Sequence, residues 1–155
     1  MTISQLVPGV YSRRFAVPAS DIDMNGHVSN LAYVAWMQQI AIEHSAAVGW
    51  PLERYRAIGA GWVVRSHFVE YLRPLFPGDP LAVYTWVPRF DQRAAPRRYL
   101  FVRESDGCEV ARAETAWVFV DLASGRRRRL PDELLGAFRP VPDDAEVRRP
   151  LGLER

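Results

Sequence analysis

Residues 20–30 read SDIDMNGHVSN and place two carboxylates, an amide and an imidazole close together as Asp21, Asp23, Asn25 and His27. Such a set can do acid–base or nucleophilic chemistry. A carboxylate can take a proton from water or attack a carbonyl itself, an imidazole titrates near neutral pH, and an amide can hold a water or a carbonyl oxygen. The same residue types also make Asx turns and helix N-caps. On spacing alone, Asp21, Asp23, Asn25 and Ser29 equally build a tight entry to the apolar stretch that follows. Asp21 is assigned to that turn-forming role, and His27 is a local hydrogen-bond partner as readily as a group that orients Asp23 or a water. Gly26 permits a backbone angle, or a close ligand approach, that other residues resist.

Other chemistry-bearing residues are scattered. Glu43, with His44 beside it, is a reserve carboxylate, although its neighbour Gln39, four residues back, suits a solvated helix stripe and favours a structural role. His67 falls inside a strand-like run and is expected to be packed. The three histidines, at 27, 44 and 67, have no cysteine or glutamate at ligand spacing, so no metal site is expected. No glycine loop of the phosphate- or dinucleotide-binding kind is present, and no cofactor is expected. Arg126–Arg129 follow a Ser-Gly turn. Guanidinium forks of this kind meet nucleotide phosphates or an acidic helix, and such a run also serves as a plain solvated face. The single cysteine, Cys108, adjoins an Asp-Gly turn and is expected to be a surface thiol.

With 155 residues, 48% of them hydrophobic, the chain can bury one domain's core. A formal net charge of +2, with no aromatics interleaved in the arginine run, does not mark a nucleic-acid binder. No apolar run approaches the roughly 20 residues that span a bilayer. The first residues lack the basic start and apolar core of a signal peptide. These features predict a cytoplasmic protein with no membrane partner.

The elements that must hold the polar stretch can be placed by period. Residues 10–18 form a short strand that Pro18 ends. From Leu31 the pattern is helical, with Tyr33, Trp36, Ile40 and Ala47 beside Val34, Met37, Ala41 and Val48. This predicts a helix over about 30–48, buried on most sides and stopped by Gly49 and Pro51. After a loop at 51–61 come four β-rich runs at 62–73, 81–90, 97–105 and 109–121. Short links between them, including a hairpin at the Asp-Gly of residues 105–108, point to an antiparallel α+β layer. Beyond Arg139 a polar, proline-rich tail (139–155) is expected to be loosely held, outside a core of about 10–137. One sheet over one helix leaves open strand edges, so pairing with a second copy is expected.

The order of strand, DIDMNGHVSNLAYVAWM, VEYLRPLFPGDPLAVYTWV and AETAWVFVDLASGRRRRLPDEL resembles the hotdog-fold thioesterases. It is similar to the 4-hydroxybenzoyl-CoA thioesterase-like branch and its plant acyl-carrier-protein thioesterase relatives, over roughly residues 10–137. The resemblance implies a curved five-stranded antiparallel sheet wrapped around one long helix. It further implies hydrolysis of an acyl-CoA or acyl-carrier-protein thioester, and a homodimer or homotetramer. It places the catalytic carboxylate on Asp23 and keeps the Asp-x-Asn-x-His pattern as Asp23, Asn25 and His27. By family register an oxyanion-binding backbone N–H lies near Asn30; Tyr33, Arg127 and Arg128 are candidate substrate contacts, the arginines toward coenzyme A phosphates or a carrier protein. Where the plant enzymes carry a Glu-Cys pair this chain has EYLRPLFPGD, which argues against a cysteine mechanism. Two other functions stay open at this point. One is a hotdog hydratase or dehydratase, whose Asp-x-Asn-x-x-His spacing is one residue longer; the other is a non-catalytic acyl or carrier-protein binding module.

Overall fold

A computed structural model describes residues 2–153. A short helix α1 (Ile3–Leu6) leads into β1 (Tyr11–Ala16), and a single 3-10 turn at Ala19–Asp21 precedes the long helix α2 (Asn30–Ala47). Ser29 caps α2, its hydroxyl accepting from the Leu31 N–H at 3.2 Å, and no glycine or proline interrupts the helix. It ends as expected at Gly49, whose φ of 94° few other residues adopt.

The region expected as a loop contains α3 (Leu52–Ala57). Pro51 stands just before it, Glu53 in its first turn, and Arg54 and Arg56 in its last, an arrangement that suits the helix dipole. Four strands follow: β2 (Ala60–Tyr71), β3 (Pro80–Trp86), β4 (Ala94–Arg103) and β5 (Cys108–Asp121). β3 stops short of the expected position 90 because Pro88 cannot donate to a ladder. β4 starts earlier than expected. Its Pro96 lies beyond the last β3 pairing, Trp86 with Arg98, where the strand has a neighbour on one side only. The chain then adds α4 (Asp132–Ala137) and α5 (Ala145–Arg148).

The five strands form one antiparallel sheet in the order β1-β3-β4-β5-β2. This is the helix-and-sheet arrangement implied by the hotdog resemblance. Tyr33, Trp36, Met37 and Ile40 of α2 pack on Leu81, Val83, Tyr99 and Phe101 of the sheet. Each such buried side chain contributes about 1.5–3 kcal/mol. Within one chain the helix is not buried on most sides: the sheet covers a single stripe, and Leu31 and Ile42 stay exposed at 81% and 47%. None of the described helices is long and apolar enough to cross a membrane.

The tail is not loose. Val141 and Val147 are buried with Tyr84, Trp86 and Leu100 on the sheet face turned away from α2, which α1 covers from the other side. Asp144 accepts from Arg98 at 2.8 Å and from the Trp86 indole at 3.2 Å, and Arg148 grips Glu109 with two bonds of 3.0 and 2.6 Å. Two valines and two charged residues, Asp144 and Arg148, therefore dock a segment whose average composition is polar. Val147→Ala, which removes two buried carbons, is predicted to cost about 2 kcal/mol in denaturant unfolding. A frayed tail would leave the midpoint unchanged.

Candidate functional site

Residues 21–29 fold into a small hairpin at the start of α2. Ile22 and Val28 pair antiparallel, the Asp23 N–H donates to the His27 carbonyl at 2.7 Å, and the Gly26 N–H donates to the Asp23 carbonyl at 3.1 Å. Gly26 takes φ 76°, and an added Cβ there would meet nothing within 4 Å. Within this chain its need is the turn rather than a close approach. The hairpin is braced at its base: Ser29 N–H donates to the Asp21 carbonyl at 2.7 Å, and Val28 N–H to the Leu75 carbonyl at 3.1 Å.

Asp23 stands at the exposed end of this brace. Its Oδ1 accepts from the backbone N–H groups of Asn25 (2.8 Å) and His27 (3.3 Å), while Oδ2 has no partner among the described residues. The turn thus uses one oxygen of this side chain and leaves the other free. Asn25 and His27 are exposed beside it. The His27 ring packs edge-on against Phe76, with centroids 5.3 Å apart, and makes no hydrogen bond to the Asp23 carboxylate. At the helix start, Ser29 satisfies the Leu31 and Ala32 N–H groups, leaving the Asn30 N–H without an acceptor among the described residues. An exposed carboxylate oxygen and an unspent N–H therefore flank one short loop. Met24, Leu31 and Phe76 form an exposed apolar collar around it.

The other candidates lie elsewhere. Tyr33 is in the core, edge-on to Trp36, Tyr71 and Phe101, and burial pushes its phenol pKa up. It supports the helix from beneath rather than lining an open surface. Glu43 sits 13 residues along the helix from Asn30, about 20 Å away, and pairs with Arg13 of β1 at 3.2 Å. Arg128 donates to the Ile58 carbonyl at 2.7 Å, while Arg127 pairs with Val120 through the backbone and points no ion pair at any described residue. Both belong to the end of the molecule where β2 begins, and the Asp23 hairpin to the end where β2 finishes, roughly 35 Å apart along the strand. One chain does not bring them together.

A second polar feature was not anticipated from sequence. Near the C-terminal half of α2 a cavity of about 290 Å³ opens between helix and sheet, walled by Trp50, Trp62, Trp117, Phe90 and Phe138, with Arg97 as its buried cation and Arg56 as an exposed one. Arg97 is 6% exposed. Its Nη1 donates to His44 Nδ1 at 2.8 Å and to Thr85 Oγ1 at 3.1 Å, and the Thr85 hydroxyl donates in turn to the Arg98 carbonyl at 2.9 Å. His44 is in turn stacked on Tyr11. The signal available in sequence was parity: Arg97 shares its strand face with Tyr99 and Phe101, which point inward.

The sequence pattern of the thioesterase-like superfamily matches residues 17–138. The chain is 26% identical over 137 residues to a chloroplastic palmitoyl-acyl carrier protein thioesterase of Gossypium hirsutum. That match takes in 84% of this chain and 33% of the relative, so the chain spans about a third of that protein's length. Among solved structures, the 12:0-ACP thioesterase from Umbellularia californica is similar at a TM-score of 0.74 and 25% identity, over 85% of this chain and 51% of that one. A 1,4-dihydroxy-2-naphthoyl-CoA thioesterase from Synechocystis shares the fold at a TM-score of 0.77 and 18% identity, over 83% of this chain and 95% of that one.

The buried histidine gives a pH test. Burial first, and the neighbouring Arg97 charge second, lower the His44 pKa from 6.5 to about 3. Between those values the unfolded chain binds a proton that the folded one refuses. Stability from this group is therefore complete above about pH 6.5 and is lost as the pH falls toward 3. His44→Gln, which keeps an acceptor for Arg97, should flatten the acid side of a plot of melting temperature against pH. An unchanged acid side would contradict the assignment.

Proposed function

Because the chain belongs to the thioesterase-like superfamily, we propose that it hydrolyses an acyl thioester to a free acid and a thiol, using Asp23 as the reacting carboxylate. The observation that carries this is the pairing, on one braced hairpin, of a free Asp23 oxygen with an unspent N–H at Asn30. The thiol carrier is coenzyme A or an acyl-carrier protein.

As general base, Asp23 accepts a proton from a water that attacks the thioester carbon. The carbonyl oxygen becomes an oxyanion against the Asn30 N–H, where the helix dipole favours negative charge. The C–S bond then breaks, and the thiolate leaves with the proton that Asp23 returns. As nucleophile, the same oxygen attacks the carbon directly, the C–S bond breaks, and water opens the resulting acyl anhydride. Both routes use Oδ2, the oxygen the hairpin leaves free. The exposed Asn25 amide is placed to hold the water or the carbonyl, and His27 to bound the site on the Phe76 side.

A second copy completes the reading. β2 is an edge of the sheet with no strand beyond it, and it exposes Val63, Phe68 and Tyr71, a pattern that invites pairing. A two-fold axis through the sheet pairs that edge with itself antiparallel. Each Asp23 hairpin would then approach the partner's end of β2, with its arginine run and its cavity. Arg127, which no described carboxylate neutralises, would in this way meet a phosphate-bearing carrier.

Asp23→Asn keeps an oxygen for both backbone donors, so its melting temperature should stay near that of the parent. Turnover on an acyl-CoA panel, read by free thiol, should fall at least hundredfold, about 2.7 kcal/mol in the barrier. Near-normal turnover would remove Asp23 from the reaction. Sedimentation at micromolar concentration should show at least a dimer, and a monomer alone would contradict the shared site.

A further inference from the structure

Arg97 is a buried cation without an anion. Its two hydrogen-bond partners, His44 and Thr85, are neutral, and it forms no ion pair with a described carboxylate. Its Nε and Nη2 donate to nothing among the described residues. Removing an unpaired guanidinium from water costs several kcal/mol, which is why buried arginines ordinarily carry a carboxylate or phosphate. The neutral state of His44 removes one repulsive charge but supplies no negative one.

The cavity that Arg97 enters has the complementary shape. At about 290 Å³ it is roughly twice the size of an apolar cavity that admits benzene. Its wall is otherwise aromatic and aliphatic apart from the Ser45 and Tyr55 hydroxyls, which bond each other, and the exposed Arg56. Two of its residues, Trp50 and Trp117, also have buried indole N–H groups with no hydrogen-bond partner among the described residues. The Arg97 guanidinium, with Nε and Nη2 unspent, is thus the buried charge of an aromatic chamber that no carboxylate lines.

We propose that this cavity binds an apolar molecule ending in a carboxylate, with the acid paired to Arg97 and the hydrocarbon or ring held among the tryptophans. The guanidinium fork matches a carboxylate in two parallel bonds, a geometry an ammonium cannot reproduce. The acid has two chemical sources. It can be a free carboxylic acid, or it can be the distal acid of a dicarboxylic acyl group whose thioester end lies at an Asp23 hairpin. The second source rests on the hydrolytic reading above, whereas carboxylate binding itself does not.

Three of the chain's five tryptophans line the cavity, so their fluorescence reports occupancy. Titration with octanoate should give a saturable change, with octanamide at least tenfold weaker. Arg97→Met should bring the two ligands level, and Arg97→Lys should recover only part of the preference. If Arg97→Met fails to fold, the octanoate and octanamide comparison on the parent chain still decides. Equal binding of the two, or no response to either, overturns the proposal. Hydrolysis rates then separate the sources. A preference of tenfold or more for the monothioester of suberic acid and coenzyme A over octanoyl-CoA assigns the acid to the acyl group. Octanoate binding without that preference assigns it to a free acid. Asp23-dependent hydrolysis of octanoyl-CoA is measured in the same assay, so failure of the carboxylate site and failure of the hydrolytic reading give different results.

Discussion

The packing of one stripe of α2 on the sheet is the contact on which the rest of the molecule depends. Tyr33, Trp36, Met37 and Ile40 lock the helix across β3 and β4, and a helix of 18 residues is about 27 Å long. That rod fixes two positions at once. Its N-terminus carries the Asp23 hairpin, tied to the Ser29 cap and to the carbonyl of Leu75. Its C-terminal half roofs the cavity, through Ala41 and Ser45, and presents His44 to Arg97. Tyr33 belongs to this mechanical role. Loss of its aromatic contacts would be felt at the hairpin as a change of angle rather than as a lost substrate contact.

The separation of the two ends explains why one chain looks incomplete. The hairpin has a free carboxylate oxygen and a donor but only a shallow apolar collar. The cavity has depth, aromatic walls and a cation but no carboxylate. Antiparallel pairing of two β2 edges, as proposed, would place the hairpin of one chain at the cavity end of the other and turn two half-sites into one. The exposed face of α2 and the exposed side chains of β2 are the surfaces such a pairing would cover.

Much of this was legible in the residue order, for physical reasons that can be named. The helix was visible because its apolar period runs unbroken between Ser29 and Gly49, and the strands because β-branched and aromatic residues alternate between turn signals. Asp23 was visible as a candidate, yet spacing could not divide its turn-forming role from the proposed chemical one, since the turn uses one oxygen of the carboxylate and leaves the other free. The docked tail was hidden because Val141 and Val147 act individually in a polar context, where average composition says nothing about two well-placed anchors. α3 was hidden by its shortness. Arg97 was hidden because an arginine in a strand is ordinarily assigned to the solvent face, and only its parity with Tyr99 and Phe101 contradicts that.

The central claim, a site shared between two chains, is open to complementation. Asp23→Asn removes the carboxylate proposed to react, and Ala41→Phe fills the cavity from its roof, so each homodimer alone should be inactive. When the two are mixed and their subunits exchanged, half the dimers are mixed, and one of the two sites in each has both an intact Asp23 and an intact cavity. Activity should return to about a quarter of the parent value. If Asp23 and the cavity of the same chain work together, no mixed dimer holds an intact pair, and activity that stays at the level of the separate variants would contradict the account.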